Sequence, residues 1–210
     1  MLEIQGICKS YQGRQVLAPV SFTLEAGECL GLAGANGSGK STLLRVLAQI
    51  QPPDGGRVLF RGRDTAGDRT FLRRRQGCVP QEECLAEELT VRQQLRLWQA
   101  ACGLSGPLPE EIVRLCGLED LMKSPLRSLS GGTRRRVSIA MALLPRPEIL
   151  LMDEATVGLD EGFRVSLLSW MEAYLQNGGR AIWCTHRAEE LERLCRRCMR
   201  LEDGKARWGL

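Results

Sequence analysis

Gly34-Ala35-Asn36-Gly37-Ser38-Gly39-Lys40-Ser41-Thr42 decides how the rest of the chain is read. The stretch fits G-x-x-x-x-G-K-[ST], a loop whose backbone N–H groups surround a polyphosphate. Gly34, Gly37 and Gly39 carry no Cβ, so the backbone can take positive φ and approach a phosphate closely. In such a P-loop Lys40 reaches the β- and γ-phosphates, and the Ser41 hydroxyl sits on Mg²⁺. The flanks agree with this reading. Glu28 to Ala33 is expected as a short buried strand. Ser41 to Leu47 is expected as a helix whose positive dipole end faces the anion. A glycine-rich turn before a helix can match the letters by chance; strand, lysine and helix together set that alternative aside.

Bulk properties bound what surrounds the loop. A chain of 210 residues, 43% apolar and 26% charged, suits one globular domain with a substantial core. No apolar run approaches the roughly 18 residues that span a bilayer. The longest, Val137 to Leu144, fits a buried helix segment. The first residues lack a basic stretch ahead of an apolar one, so no signal peptide is expected, and the protein is expected in the cytosol. The nine cysteines are then reduced thiols rather than bridges. Only Cys195-Arg196-Arg197-Cys198 forms a C-x-x-C, and it has no second pair or nearby histidine to complete a zinc site. Net charge is +4, carried mostly by arginine. Arg73-Arg74-Arg75 and Arg134-Arg135-Arg136 lack interleaved aromatics that would stack on bases, so nucleic acid is not an expected partner. Both clusters are expected as solvated helix faces.

Strand signals at Leu2–Ile7 and Val16–Leu24 flank a turn at Gln12-Gly13-Arg14, and others stand at Arg57–Phe60 and Gln76–Val79. From about Ala86 to Arg127 the apolar residues fall at helical spacing and strands disappear, which marks a helical insertion. Glu148 to Met152 and Arg180 to Cys184 restore strands, with a helix expected at Glu161–Gln176 between them. Strands alternating with helices around a P-loop give an α/β domain with a mainly parallel sheet.

Two carboxylates, Asp153 and Glu154, end the apolar strand Ile149-Leu150-Leu151-Met152. A parallel strand is buried on both faces, so charges belong where it emerges at its C-terminal end, beside the P-loop. Asp153 is placed to hold the Mg²⁺ of Ser41, and Glu154 to accept a proton from an attacking water. His186, the only histidine, follows the last of these strands and can donate to a γ-phosphate or to the loop bearing the carboxylate. Leu129-Ser130-Gly131-Gly132-Thr133 precedes a helix expected from Arg134 to Leu144, and Ser130 with two glycines is a second anion-binding cap.

In this order the motifs resemble, over essentially the full length, the ATP-binding subunit of ATP-binding cassette (ABC) transporters. The resemblance takes in Tyr11 as the adenine-stacking aromatic, the P-loop from Gly34 to Thr42, and Gln81 after Val79-Pro80 as the glutamine loop. It continues through Leu129-Ser130-Gly131-Gly132 as the family signature, Asp153-Glu154, Gly158-Leu159-Asp160 as the D-loop, and His186 as the switch histidine. Thr133, Ala155 and Val157 depart from the pattern, where glutamine, proline and serine are commoner. The resemblance implies a single ABC ATPase domain, with a P-loop core and an N-terminal antiparallel part (1–85 and 146–210) and a helical subdomain at about 86–145. It implies ATP and Mg²⁺ as cofactors, the latter held by Ser41, Gln81 and Asp153. It implies hydrolysis by Glu154, Lys40 and His186, in a head-to-tail dimer with an identical or different cassette. Each ATP would lie between one P-loop and the partner's Ser130, Gly131 and Gly132, and separate membrane subunits would dock beside Gln81. Leu85 to Val91 looks like the same stretch in export members. A cassette that energises a soluble assembly scaffold of the iron–sulfur type is the alternative.

Overall fold

Strands β1 (Leu2–Tyr11) and β2 (Arg14–Leu24) form an antiparallel hairpin closed by Gln12 and Gly13. Both turn residues take positive φ, 49° and 79°, the two-residue geometry whose twist matches the strands it joins. The computed structural model describes residues 1–209. β4 (Gly55–Phe60) and β5 (Arg63–Asp64) complete a four-stranded antiparallel sheet in the order β2-β1-β4-β5.

A second sheet carries the chemistry. It runs β10-β9-β3-β8-β7-β6, built from β3 (Cys29–Ala33), β6 (Gln76–Val79), β7 (Ile149–Asp153), β8 (Arg180–Cys184), β9 (Arg197–Glu202) and β10 (Lys205–Trp208). Only the edge strand β10 is antiparallel. Successive residues of the central strands divide between two apolar cores. Leu30, Leu32, Ile149, Leu151 and Ile182 face β1, β2, β4 and helix α1 (Lys40–Leu47). Cys29, Leu150, Met152, Ala181 and Trp183 face the other helices. Those helices are α3 (Val91–Ala101), α4 (Glu110–Leu115), α5 (Gly131–Leu143), α6 (Glu161–Gln176) and α7 (Ala188–Leu194). A short helix, α2 (Arg69–Arg73), leads into β6.

Register brings the motifs to one edge. Leu32 and Asp153 both pair with Cys184, and Met152 pairs with Val79. The loops after β3, β7, β8 and β6 therefore leave at one level, and they carry Gly34–Gly39, Glu154, His186 and Gln81. That carboxyl edge is where open parallel sheets hold ligands.

Several boundaries move against the sequence reading. β1 runs on to Tyr11, and α5 opens at Gly131 rather than Arg134, because Ser130 Oγ accepts the Thr133 N–H as an N-cap. The glycine pair is thus the first turn of α5. Helices α2 and α7 and the β9–β10 hairpin were not expected.

Candidate functional site

The loop after β3 turns on Gly34 at φ 142° and reaches α1 through Gly39 at φ 105°. A Cβ on Gly34 would stand 2.4 Å from the Leu201 carbonyl oxygen, and one on Gly39 would stand 2.9 Å from that of Val16. Neighbouring backbone therefore fixes this loop from outside. Gly39 offers α1 no side-chain cap, so no side chain competes for the N–H donors at its first turn. Lys40 is buried, and its ammonium donates to the carbonyls of Gly34 (2.8 Å) and Ala35 (2.9 Å). An anion in the loop would find this charge within a side-chain rotation.

A cavity of about 310 Å³ is lined by Asn36, Gly37, Gly39, Lys40, Ser41, Thr42, Gln81 and Glu154, with Val16 at its wall. Three separate loops thus meet in one cavity. Ala35 lies on the exposed rim, Ser38 is buried beneath the loop, and Gly34 lines an adjoining cavity with His186. Tyr11 stays outside the cavity and 41% exposed; its hydroxyl donates to Gln51 Oε1 at 2.7 Å. Gln51 in turn donates to the Thr42 carbonyl at 3.3 Å, which ties the aromatic to α1.

Asp153 is buried at the end of β7, and its Oδ1 has no hydrogen-bond partner. Glu154 follows at φ 51°, a left-handed conformation that costs a residue with a Cβ on the order of 1 kcal/mol. That turn takes the carboxylate out of the strand's alternation and into the cavity. His186 Nε2 lies 2.9 Å from Glu154 Oε1, so the exposed histidine and the half-buried carboxylate form a direct pair.

The structure corrects the expectation of a solvated arginine face at Arg134–Arg136. Arg135 is only 4% exposed. Its guanidinium donates to the carbonyls of Asp153 (2.6 Å), Glu154 (2.8 Å), Ala155 (3.2 Å), Pro80 and Gln81 (3.3 Å). Burial pulls its pKa below the ordinary arginine value, and the nearby Glu83, Asp153 and Glu154 push it back up. Arg136 ion-pairs with Asp160, which also caps α6 by accepting the Phe163 N–H at 2.9 Å. The cap and the arginine hold the Asp160 carboxyl below the usual carboxylate range.

A second residue that sequence reasoning missed is Glu190 on α7, fully buried. It accepts from Thr156 Oγ1 at 3.1 Å and Trp183 Nε1 at 3.0 Å, which ties the loop after Glu154 to β8 and α7. The C-x-x-C pair meets a third thiol: Cys195 Sγ is 3.4 Å from Cys29 Sγ, and Cys198 packs behind Gly31.

The structure does not bring Ser130, Gly131 and Gly132 into the P-loop cavity. Gly131 and Gly132 instead line a separate cleft with Gln81, Glu154 and Gly158, and Ser130 is exposed beside it.

A family model described as ABC transporter matches residues 17–157. The Nod factor export ATP-binding protein I of Rhizobium sp. (strain N33) is 36% identical over 97% of this chain and 68% of its own length. A linearmycin resistance ATP-binding protein of Bacillus subtilis (strain 168) is 34% identical over 98% of this chain and 67% of its own length. The chain thus spans about two thirds of these relatives. Among solved structures, a dimeric ATP-binding cassette in a post-hydrolysis state with ADP and Pi superposes with a TM-score of 0.90 at 25% identity. That match covers 100% of this chain and 98% of the other.

Proposed function

This chain belongs to the ABC transporter family, and from that premise we propose that it is the ATP-hydrolysing cassette of an export system, closing on a second cassette around ATP and driving membrane subunits. The observation that carries the reading is the single cavity in which the P-loop, Gln81 and Glu154 meet. Lys40 would exchange its two loop carbonyls for phosphate oxygens, so an already buried ammonium gains its natural counter-ion. The open first turn of α1 adds backbone donors to the same anion.

The donors present fit Mg²⁺. Asp153 offers a buried, unpartnered carboxylate oxygen, and Ser41 and Gln81 line the cavity, an oxygen set suited to a hard cation. These residues would hold the ion, which when bound neutralises charge on the β- and γ-phosphates.

Glu154 is the proposed base. His186 Nε2, 2.9 Å from Oε1, stands against one oxygen of the carboxylate, and the second oxygen is the one to accept from water. The water oxygen bonds to the γ-phosphorus while the bond from that phosphorus to the bridging oxygen breaks. ADP leaves with the electron pair, and the water proton goes to Glu154. Glu154→Gln keeps the shape and removes the base. It is expected to bind ATP, hydrolyse it at least ~100-fold more slowly and accumulate an ATP-bound dimer. Turnover within a few-fold of the parent would remove Glu154 from this role.

Ser130, Gly131 and Gly132 are proposed to act on the partner's ATP. Their position outside the chain's own phosphate cavity supports this. Among the described residues no helix is long and apolar enough to cross a membrane, and the reading assigns that crossing to partner subunits docked beside Gln81 and the 86–145 segment. Export is supported by the name of the Nod factor relative and by the Leu85–Val91 stretch. Nothing in the structure favours the scaffold alternative.

A further inference from the structure

We propose that Arg135 is a positioning residue that holds Glu154 in its catalytic conformation and links it to the helix whose N-terminus grips the partner's nucleotide. The inference rests on Glu154 being the base.

Glu154 leaves its strand through a left-handed backbone at φ 51°. Such a conformation persists only where surrounding structure over-determines it. Here the over-determination is visible. The Glu154 N–H donates to the Cys184 carbonyl at 2.9 Å, and its own carbonyl accepts from Arg135 and from the Val157 N–H at 3.1 Å. The carbonyls on either side, Asp153 and Ala155, accept from the same guanidinium. One planar cation therefore pins three consecutive peptide units, and its remaining reach goes to Pro80 and Gln81 in the loop beside them. No carboxylate takes part in the clamp, so the guanidinium's donors are all spent on backbone.

Arg135 belongs to α5, whose first turn is Gly131-Gly132 under the Ser130 cap. A helix of 13 residues moves as a unit, so a shift of its N-terminus shifts Arg135. Movement of the signature against the partner's ATP would then reset the backbone of both Glu154 and Gln81. Arg135 is the only described side chain that bonds to both loops. A lysine carries its three donors on one nitrogen, so it can serve neighbouring carbonyls, as Lys40 does, but not a fan that spans both loops as the three-nitrogen fork does.

The experiment compares Arg135→Met, Arg135→Lys and Glu154→Gln in the full chain. Binding of a fluorescent ATP analogue, ATP-dependent dimerisation by size-exclusion chromatography, and steady-state kcat are measured. Misplacement of a reacting group by about 1 Å costs ~10²-fold, so kcat of Arg135→Met is expected to fall ~10- to 100-fold. ATP affinity and ATP-driven dimerisation should stay intact. Arg135→Lys should recover part of the loss. Adding Arg135→Met to Glu154→Gln should slow turnover no further, because the arginine acts only through the carboxylate. A purely structural arginine would lower affinity, dimerisation and kcat together, and that result overturns the proposal. So does a kcat within two-fold of the parent in both Arg135 variants. If Arg135→Met does not fold, Arg135→Lys decides by the same split between kcat and affinity. If Glu154→Gln itself turns over normally, the base assignment fails; if Glu154→Gln is inactive and the Arg135 variants are normal, the positioning role alone fails.

Discussion

Two helix N-termini, those of α1 and α5, are built from the same ingredients and finished differently. Both have glycine and serine at the turn that leads into the helix. At α1 the chain completes the site: Gly34 and Gly39 are required by carbonyls of Leu201 and Val16, the cap position offers no side chain, and Lys40 stands ready beneath. At α5 the chain leaves something undone. Gly132 is required at home, since a Cβ there would lie 2.5 Å from the Gly158 carbonyl oxygen. Gly131 is not: nothing stands within 4 Å of the Cβ it lacks. A glycine inside a helix costs about 1 kcal/mol relative to alanine, and at Gly131 the chain itself gives no steric reason for it. The difference teaches that the glycines of one terminus are fixed by the chain's own packing, while Gly131 at the other is not, which fits the proposed role of that terminus toward a second chain.

Substitutions at the α5 terminus can break that contrast. Ser130→Arg should have the largest effect. It is expected to abolish hydrolysis while the monomer binds ATP as before, since Ser130 lies outside the phosphate cavity. Loss of the cap costs about 1 kcal/mol, well short of unfolding a domain. Unchanged turnover would sink the assignment. Gly132→Ala should lower stability besides disturbing the partner's ATP, because the clash with Gly158 is an overpacking worth about 1–3 kcal/mol, read as a lower denaturant midpoint. Gly131→Ala should be the mildest and the most telling. The fold should gain about 0.5–1 kcal/mol from helix propensity while ATP turnover drops several-fold. A stabilised variant with full activity would mean that Gly131 faces nothing.

The sequence made the P-loop, the strand ending in Asp153-Glu154 and the placement of His186 legible, because each depends on local pattern and on one rule about strand ends. It also gave α6 its bounds, Glu161 to Gln176, through the Asn177-Gly178-Gly179 stop, and the structure adds the Asp160 cap at the other end. Arg135 was hidden for a physical reason. Its partners are backbone carbonyls from two loops distant in sequence, and carbonyls carry no sequence signal. An arginine triplet then reads as charge rather than as a buried clamp. The same blindness covers Glu190, whose partners Thr156 and Trp183 come from other elements. The β9–β10 hairpin does carry a local signal. Asp203-Gly204, at φ 47° and 75°, is the favoured two-residue turn, and Met199 and Leu201 alternate inward before it. Ala155, where proline is commoner, leaves the loop after Glu154 less constrained by its own chemistry; the Arg135 bond to the Ala155 carbonyl supplies a constraint from outside.

The claim that a P-loop and a signature from different chains share one ATP is tested most directly by mixing two inactive proteins. Lys40→Ala lacks the phosphate grip and Ser130→Arg lacks the signature, so each alone should be without turnover. In a head-to-tail mixed dimer one site carries both defects and the other carries neither. Half of randomly paired dimers are mixed and each has one whole site, so an equimolar mixture should recover about a quarter of parental turnover. A mixture as inactive as its components would contradict the account.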